Sequence, residues 1–118
     1  WEKLKQLGDQ AGEHISRNLD QALEDYDHVY VVTHVPPTRG SCWHNGAISD
    51  DQWAPHFTCK AVGDAIQESL RGKSEKNVTV FCGHTHGEGE SQPQKNWKIH
   101  TGKSLYGHPS IARIFEVE

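Results

Sequence analysis

Two short apolar runs, Val29-Tyr30-Val31-Val32-Thr33 and Asn77-Val78-Thr79-Val80-Phe81-Cys82, constrain this chain more than anything else in it. β-Branched and aromatic residues dominate both, which suits a pleated, buried strand and costs a helix side-chain freedom. The first is nearly continuous in apolarity, the pattern of a central strand covered on both faces. The second alternates. Each stops abruptly in residues of another kind. Val29–Thr33 runs into His34, Val35, Pro36 and Pro37, and neither proline can donate to a ladder. The second run enters Gly83-His84-Thr85-His86-Gly87.

Around these strands the periodicity changes. Leu4, Leu7, Ala11, Ile15, Leu19, Ala22 and Leu23 recur at three- and four-residue steps, which predicts an amphipathic helix over residues 2–24. Gly8 and Gly12 weaken its first half. A second helix is predicted over 56–71, with Val62, Ile66 and Leu70 on one stripe and Gly72 as its cap. Residues 97–101 and 111–115 read as further strands, with a polar loop between Gly87 and Trp97. The order α, β, long loop, α, β, β, β predicts a sheet with helices on at least one face, α/β or, less regularly, α+β.

Composition narrows the function classes. A length of 118 residues is one domain or part of one. Lys and Arg number 12 against 16 Asp and Glu, a net charge of −4, so no broad footprint for nucleic acid or an anionic membrane is expected. No apolar run is long enough for a transmembrane helix. Three cysteines are an odd number without a disulfide framework, which points to a reducing compartment such as the cytoplasm. With no Met and Trp1 first, the expectation is a chain that begins within a longer protein.

Histidine is the unusual residue, at nine. Three of the nine, His34, His84 and His86, fall just past the ends of the two apolar runs. Ligands in open α/β sheets gather at the carboxyl ends of strands. If the two strands are parallel neighbours joined by the 56–71 helix, all three imidazoles reach one rim. Gly83 and Gly87 are expected to give the turn its backbone freedom. Three neutral imidazoles suit zinc, iron, manganese or nickel.

Thr33-His34-Val35-Pro36-Pro37 followed by Gly83-His84-Thr85-His86-Gly87 resembles the last two motifs of the calcineurin-like metallophosphoesterases. That family's signature is ordered: Asp-x-His, Gly-Asp, Gly-Asn-His, a lone His, then Gly-His-x-His. The resemblance spans residues 1–118 as the C-terminal half of such a domain, and it implies a sandwich of two sheets flanked by helices. It implies that His34 and His84 bind one of two divalent metal ions and that His86 binds the other. The activity implied is hydrolysis of phosphomonoesters or phosphodiesters. Asp-x-His, Gly-Asp and Gly-Asn-His are not in this sequence, so the bridging carboxylate and remaining ligands are missing. The chain alone is therefore expected to be a poor catalyst, partnered by its N-terminal half or by a second copy.

The stretch 38–55 is long for a structureless loop in a compact domain. Arg39 within it is either a substrate-phosphate contact or a solvated residue. Trp43 and Trp53 either wall a pocket or pack the loop. Cys42 and His44 with His56 and Cys59 offer a rival interpretation, a non-catalytic binding or structural module held by zinc. Thr101-Gly102-Lys103-Ser104 lacks the first glycine of a P-loop. His14, His28, His100 and His108 have no evident partner, although the Tyr106-Gly107-His108-Pro109 loop is placed to approach the site.

Overall fold

In a computed structural model the chain is described over residues 1–117 and is mixed α/β. The long first helix α1 spans Glu2–Asp25 and β1 spans His28–Val32. After a 3₁₀ turn at Arg39–Ser41 comes a small hairpin, β2 (Trp43–His44) and β3 (Ala47–Ile48). Two helices follow, α2 (Ala54–Phe57) and α3 (Lys60–Ser69), then β4 (Asn77–Cys82), β5 (Gly89–Gln94) and β6 (Trp97–Thr101).

The main sheet has the order β1-β4-β6-β5. β1 and β4 are parallel, with Val31 opposite Val80, and β4 and β6 are parallel, with Val80 opposite Ile99. Only β5 runs antiparallel, against β6. Alternation sends Val31, Val78, Val80, Cys82, Trp97 and Ile99 to one face, where they meet Leu19 and Leu23 of α1 and Val62 and Ile66 of α3. Gly12, read as a weakness, lets the two helices touch: a Cβ there would lie 2.9 Å from the Ala61 carbonyl oxygen.

Among the described residues the other face carries no helix. His28 stacks on Tyr30 at 4.5 Å, Tyr30 on Phe81 at 6.0 Å, and Phe81 on His100 at 5.6 Å, a row in which His28 is exposed and the other rings are half-buried. β1 is thus an edge strand covered on one side, not a central one, and Val32 is 77% exposed. Its apolar continuity exceeds what this fold buries.

Three further expectations change. The helix predicted over 56–71 is broken at Thr58–Cys59, because the Cys59 amide donates to the Pro36 carbonyl at 2.9 Å and Cys42 Sγ lies 2.8 Å from Thr58 Oγ1. The polar stretch read as loop contains β5, whose Pro93 falls where the register slips between Ser91 and Gln94, as an edge strand permits. The segment Ile111–Phe115, read as a strand, joins no sheet among the described residues. It lies across the bare face, with Phe115 packed on Phe81 at 4.6 Å and on His100 at 4.8 Å. No helix among the described residues is long and apolar enough to cross a membrane.

Candidate metal centre

The parallel ladder does not end with the strands. The Thr33 amide donates to the Phe81 carbonyl at 2.9 Å, and the Gly83 amide donates to the His34 carbonyl at 3.0 Å. These two bonds zip His34 against the start of the Gly83–Gly87 loop. Thr33 Oγ1 donates to the Val35 carbonyl at 2.9 Å and tightens the turn before the prolines. As a result His84 Nδ1 stands 3.2 Å from His34 Nε2, with the two rings nearly edge to face.

That spacing suits two ligands of one ion. With metal–nitrogen bonds near 2.0–2.1 Å, two ligand nitrogens stand about 2.9 Å apart at a right angle and about 3.4 Å apart at the tetrahedral angle. The donor chemistry agrees, since both are imidazole nitrogens. His86 does not join them. Its ring packs on Tyr106 at 4.4 Å, and no group of three His, Cys, Asp or Glu positioned for a metal exists among the described residues. His34 and His84 thus stand within hydrogen-bonding distance of each other at the strand ends, whereas His86 packs on Tyr106. Tyr106, rather than His108, is the residue of the 106–109 loop that reaches this region.

The backbone of the loop differs from expectation too. The residues at positive φ are His84 (69°) and His86 (62°), not Gly83 and Gly87. Left-handed backbone costs a residue with a Cβ roughly 1–2 kcal/mol, and such strain persists only where surroundings over-determine it. The surroundings here are visible. His44 Nδ1 lies 2.9 Å from the Thr85 carbonyl oxygen, and Thr85 is 3% exposed. A Cβ on Gly87 would strike the Trp43 carbonyl, and one on Gly89 would strike the Trp43 indole. The β2–β3 hairpin is clamped onto the histidine loop, and the two glycines are what allow the approach.

Beside the pair, Phe57 meets His84 edge to face at 5.4 Å, and Trp53 stacks on Phe57 at 6.0 Å with planes 13° apart. Neither contact was legible in the sequence, where Phe57 carried no chemical signal.

The remaining candidates are elsewhere. Arg39 is ion-paired with Asp51 at 2.5 Å, and both line a groove of about 720 Å³ that contains none of the three histidines. The four residues of the rival zinc site form no metal-holding group among the described residues. Cys42 is bonded to Thr58, His44 to Thr85, His56 faces Trp53, and Cys59 Sγ is turned toward Gly8 of α1. All three cysteines are free thiols, and burial pushes Cys42 and Cys82 above the usual thiol range. Of the histidines without an expected partner, His14 meets Asn18, His28 Nε2 lies 2.8 Å from Thr79 Oγ1, and His100 has charged neighbours. Glu90 Oε1 lies 3.1 Å from its Nδ1, and Arg113 reaches the same carboxylate oxygen at 2.8 Å. No family model, curated protein or solved structure matches this chain.

Proposed function

We propose that this chain supplies the histidine side of a dinuclear metal centre that hydrolyses phosphate mono- or diesters, as the C-terminal part of a two-sheet, metallophosphoesterase-like domain. The observation that carries the proposal is the 3.2 Å approach of His34 and His84 nitrogens at the carboxyl ends of two parallel strands. In this proposal His34 and His84 hold one divalent ion and His86 contributes to a second. Manganese, iron, zinc and nickel all suit imidazole donors. Bound divalent ions supply a nucleophilic hydroxide near neutral pH and a clamp for the phosphate oxygens.

What this chain does itself is hold and aim. The strand-end hydrogen bonds fix the His34 and Gly83 backbones, the hairpin clamp keeps His84 and His86 in left-handed backbone, and Phe57 sets the His84 ring. Imidazoles alone do not offset the repulsion between two dications, so carboxylate ligands are required from elsewhere, as the Asp-x-His, Gly-Asp and Gly-Asn-His motifs would provide. The bare sheet face supports the same architecture, because a second sheet would cover it. In this proposal His86, whose ring packs on Tyr106 at 4.4 Å, leaves that contact to serve the second ion.

Zinc titration of the 118-residue chain, read by calorimetry, tests the pair directly. The expected result is one weak site, lowered at least tenfold in affinity by His34→Ala or His84→Ala. Unchanged affinity in both variants overturns the assignment. In a polypeptide that carries the carboxylate motifs as well, His84→Ala and His86→Ala should each abolish metal-dependent hydrolysis of an aryl phosphate.

A further inference from the structure

The aromatic row that leaves the histidine pair has an exposed outer end. Phe57 is wedged edge-on against His84, and Trp53 lies nearly parallel on Phe57. Apart from Trp1 at the first residue, which is 86% exposed, Trp53 is the exposed tryptophan at 57%, whereas Trp97 is 3% exposed and Trp43 is half-buried. A tryptophan that serves only to pack the loop would be covered as Trp43 and Trp97 are, because its indole gains most from full burial. Trp53 instead leaves indole surface open to solvent beside a candidate metal ligand.

Its position is built, not incidental. Asp50 Oδ1 accepts from the Gln52 amide at 3.0 Å and from the Trp53 amide at 3.2 Å, and the Asp50 carbonyl accepts from the Ala54 amide at 2.9 Å. Pro55 follows in the first turn of α2, where its fixed φ suits the helix and its missing N–H costs nothing. The turn therefore holds Trp53 before any ligand arrives, and a preformed ring platform costs little entropy on binding.

We propose that Trp53 and Phe57 form a stacking platform for a flat aromatic group, such as a nucleobase, on the phosphate ester bound at His34 and His84. This rests on the phosphate-ester proposal above. The phosphate sits at the histidine end, and the aromatic group lies outward along the row, two ring steps of 5.4 and 6.0 Å from His84. Aliphatic phosphates gain nothing from this surface. Stacking on an aromatic side chain is sequence-tolerant, so the platform selects flatness and not a particular base.

Adenosine 5′-monophosphate and ribose 5-phosphate, which differ by the base alone, test this by equilibrium binding to the zinc-loaded chain. Tryptophan fluorescence and calorimetry are the readouts, and circular dichroism checks that each variant folds. The expected result is about tenfold tighter binding of the adenine compound, with quenching of tryptophan emission. Trp53→Leu should weaken the adenine compound about tenfold and close the gap between the two ligands, and Phe57→Leu should narrow it. Equal affinities in the native chain, or a gap that survives Trp53→Leu, overturn the platform. The phosphate-ester proposal then still stands if both ligands are lost in His84→Ala. Failure to retain zinc and to bind either ligand overturns both.

Discussion

His84 carries two demands at once, a ring that meets His34 and a backbone at φ 69°. The second demand is measurable apart from any metal. Alanine at position 84 removes the ring and keeps the strain, whereas glycine removes both. His84→Gly should therefore be more stable than His84→Ala by about 1 kcal/mol in urea denaturation of the metal-free chain. Equal midpoints would show that the loop relaxes once the ring is gone. His100 makes a different prediction. Burial holds its pKa below the ordinary 6.5, with neighbouring Arg113 and Lys98 acting the same way and Glu90 opposing. The unfolded chain then binds the proton more readily, so stability falls as pH drops through the unfolded value. Glu90, held low chiefly by its hydrogen bond from Arg113, adds a loss in the same direction at lower pH. Melting temperature between pH 7.5 and 5.5 should fall less in His100→Gln than in the native chain. At this scale the sequence displayed the histidines and their strand-end positions. It did not display the left-handed φ of two histidines, which comes from the hairpin clamped against them.

The β2–β3 hairpin and the histidine loop act as one unit. Gly87 admits the Trp43 carbonyl and Gly89 the Trp43 indole, so a methyl group at either position forces the hairpin away. Gly87→Ala should lower stability by about 2 kcal/mol, the usual cost of overpacking, and should also weaken zinc binding because the clamp on His84 loosens. A thermal shift assay reads the first effect and calorimetry the second. A neutral result in both would mean that the loop keeps its shape unaided. The elements most legible in the sequence were those whose own pattern suffices: α1 from its apolar stripe, β1 and β4 from their β-branched runs, and the parallel pairing of the two. The errors arose where a neighbour decides. Gly-Glu-Ser-Gln-Pro-Gln becomes β5 only because β6 offers it a partner, and Ile111–Phe115 does not become a strand because Phe115 packs on the sheet face against Phe81 and His100 rather than along an edge. The second helix breaks where Pro36 and Cys42 compete for its backbone and side chains.

The whole molecule is a slab of 40 × 39 × 22 Å, one sheet and one helical layer thick. Its accessible surface is 8243 Å², against about 6,450 Å² for a compact monomer of 13.3 kDa. Part of the excess belongs to the extended C-terminal segment, where Leu105, Tyr106, Ile111, Ile114 and Val117 are each more than 60% exposed. Further exposed apolar side chains lie at the start of α1, where Leu4 is 61% exposed, and at Val32 on β1, whose outer edge has no partner strand among the described residues. An excess of roughly 1,800 Å² is well above the area that one partner commits to a standard protein interface, about 800 Å². Unpaired edge groups and exposed apolar side chains drive association, and nothing in the net charge of −4 opposes it strongly. The isolated chain should therefore self-associate at tens of micromolar. Light scattering should give a mass above 13.3 kDa. The double variant Ile111→Lys with Ile114→Lys should move the mass toward the monomer, since both side chains are 80% exposed and neither supports the core. A native chain that stays monomeric at that concentration would show that the Phe115 strap covers the bare face well enough, and that no second layer is required.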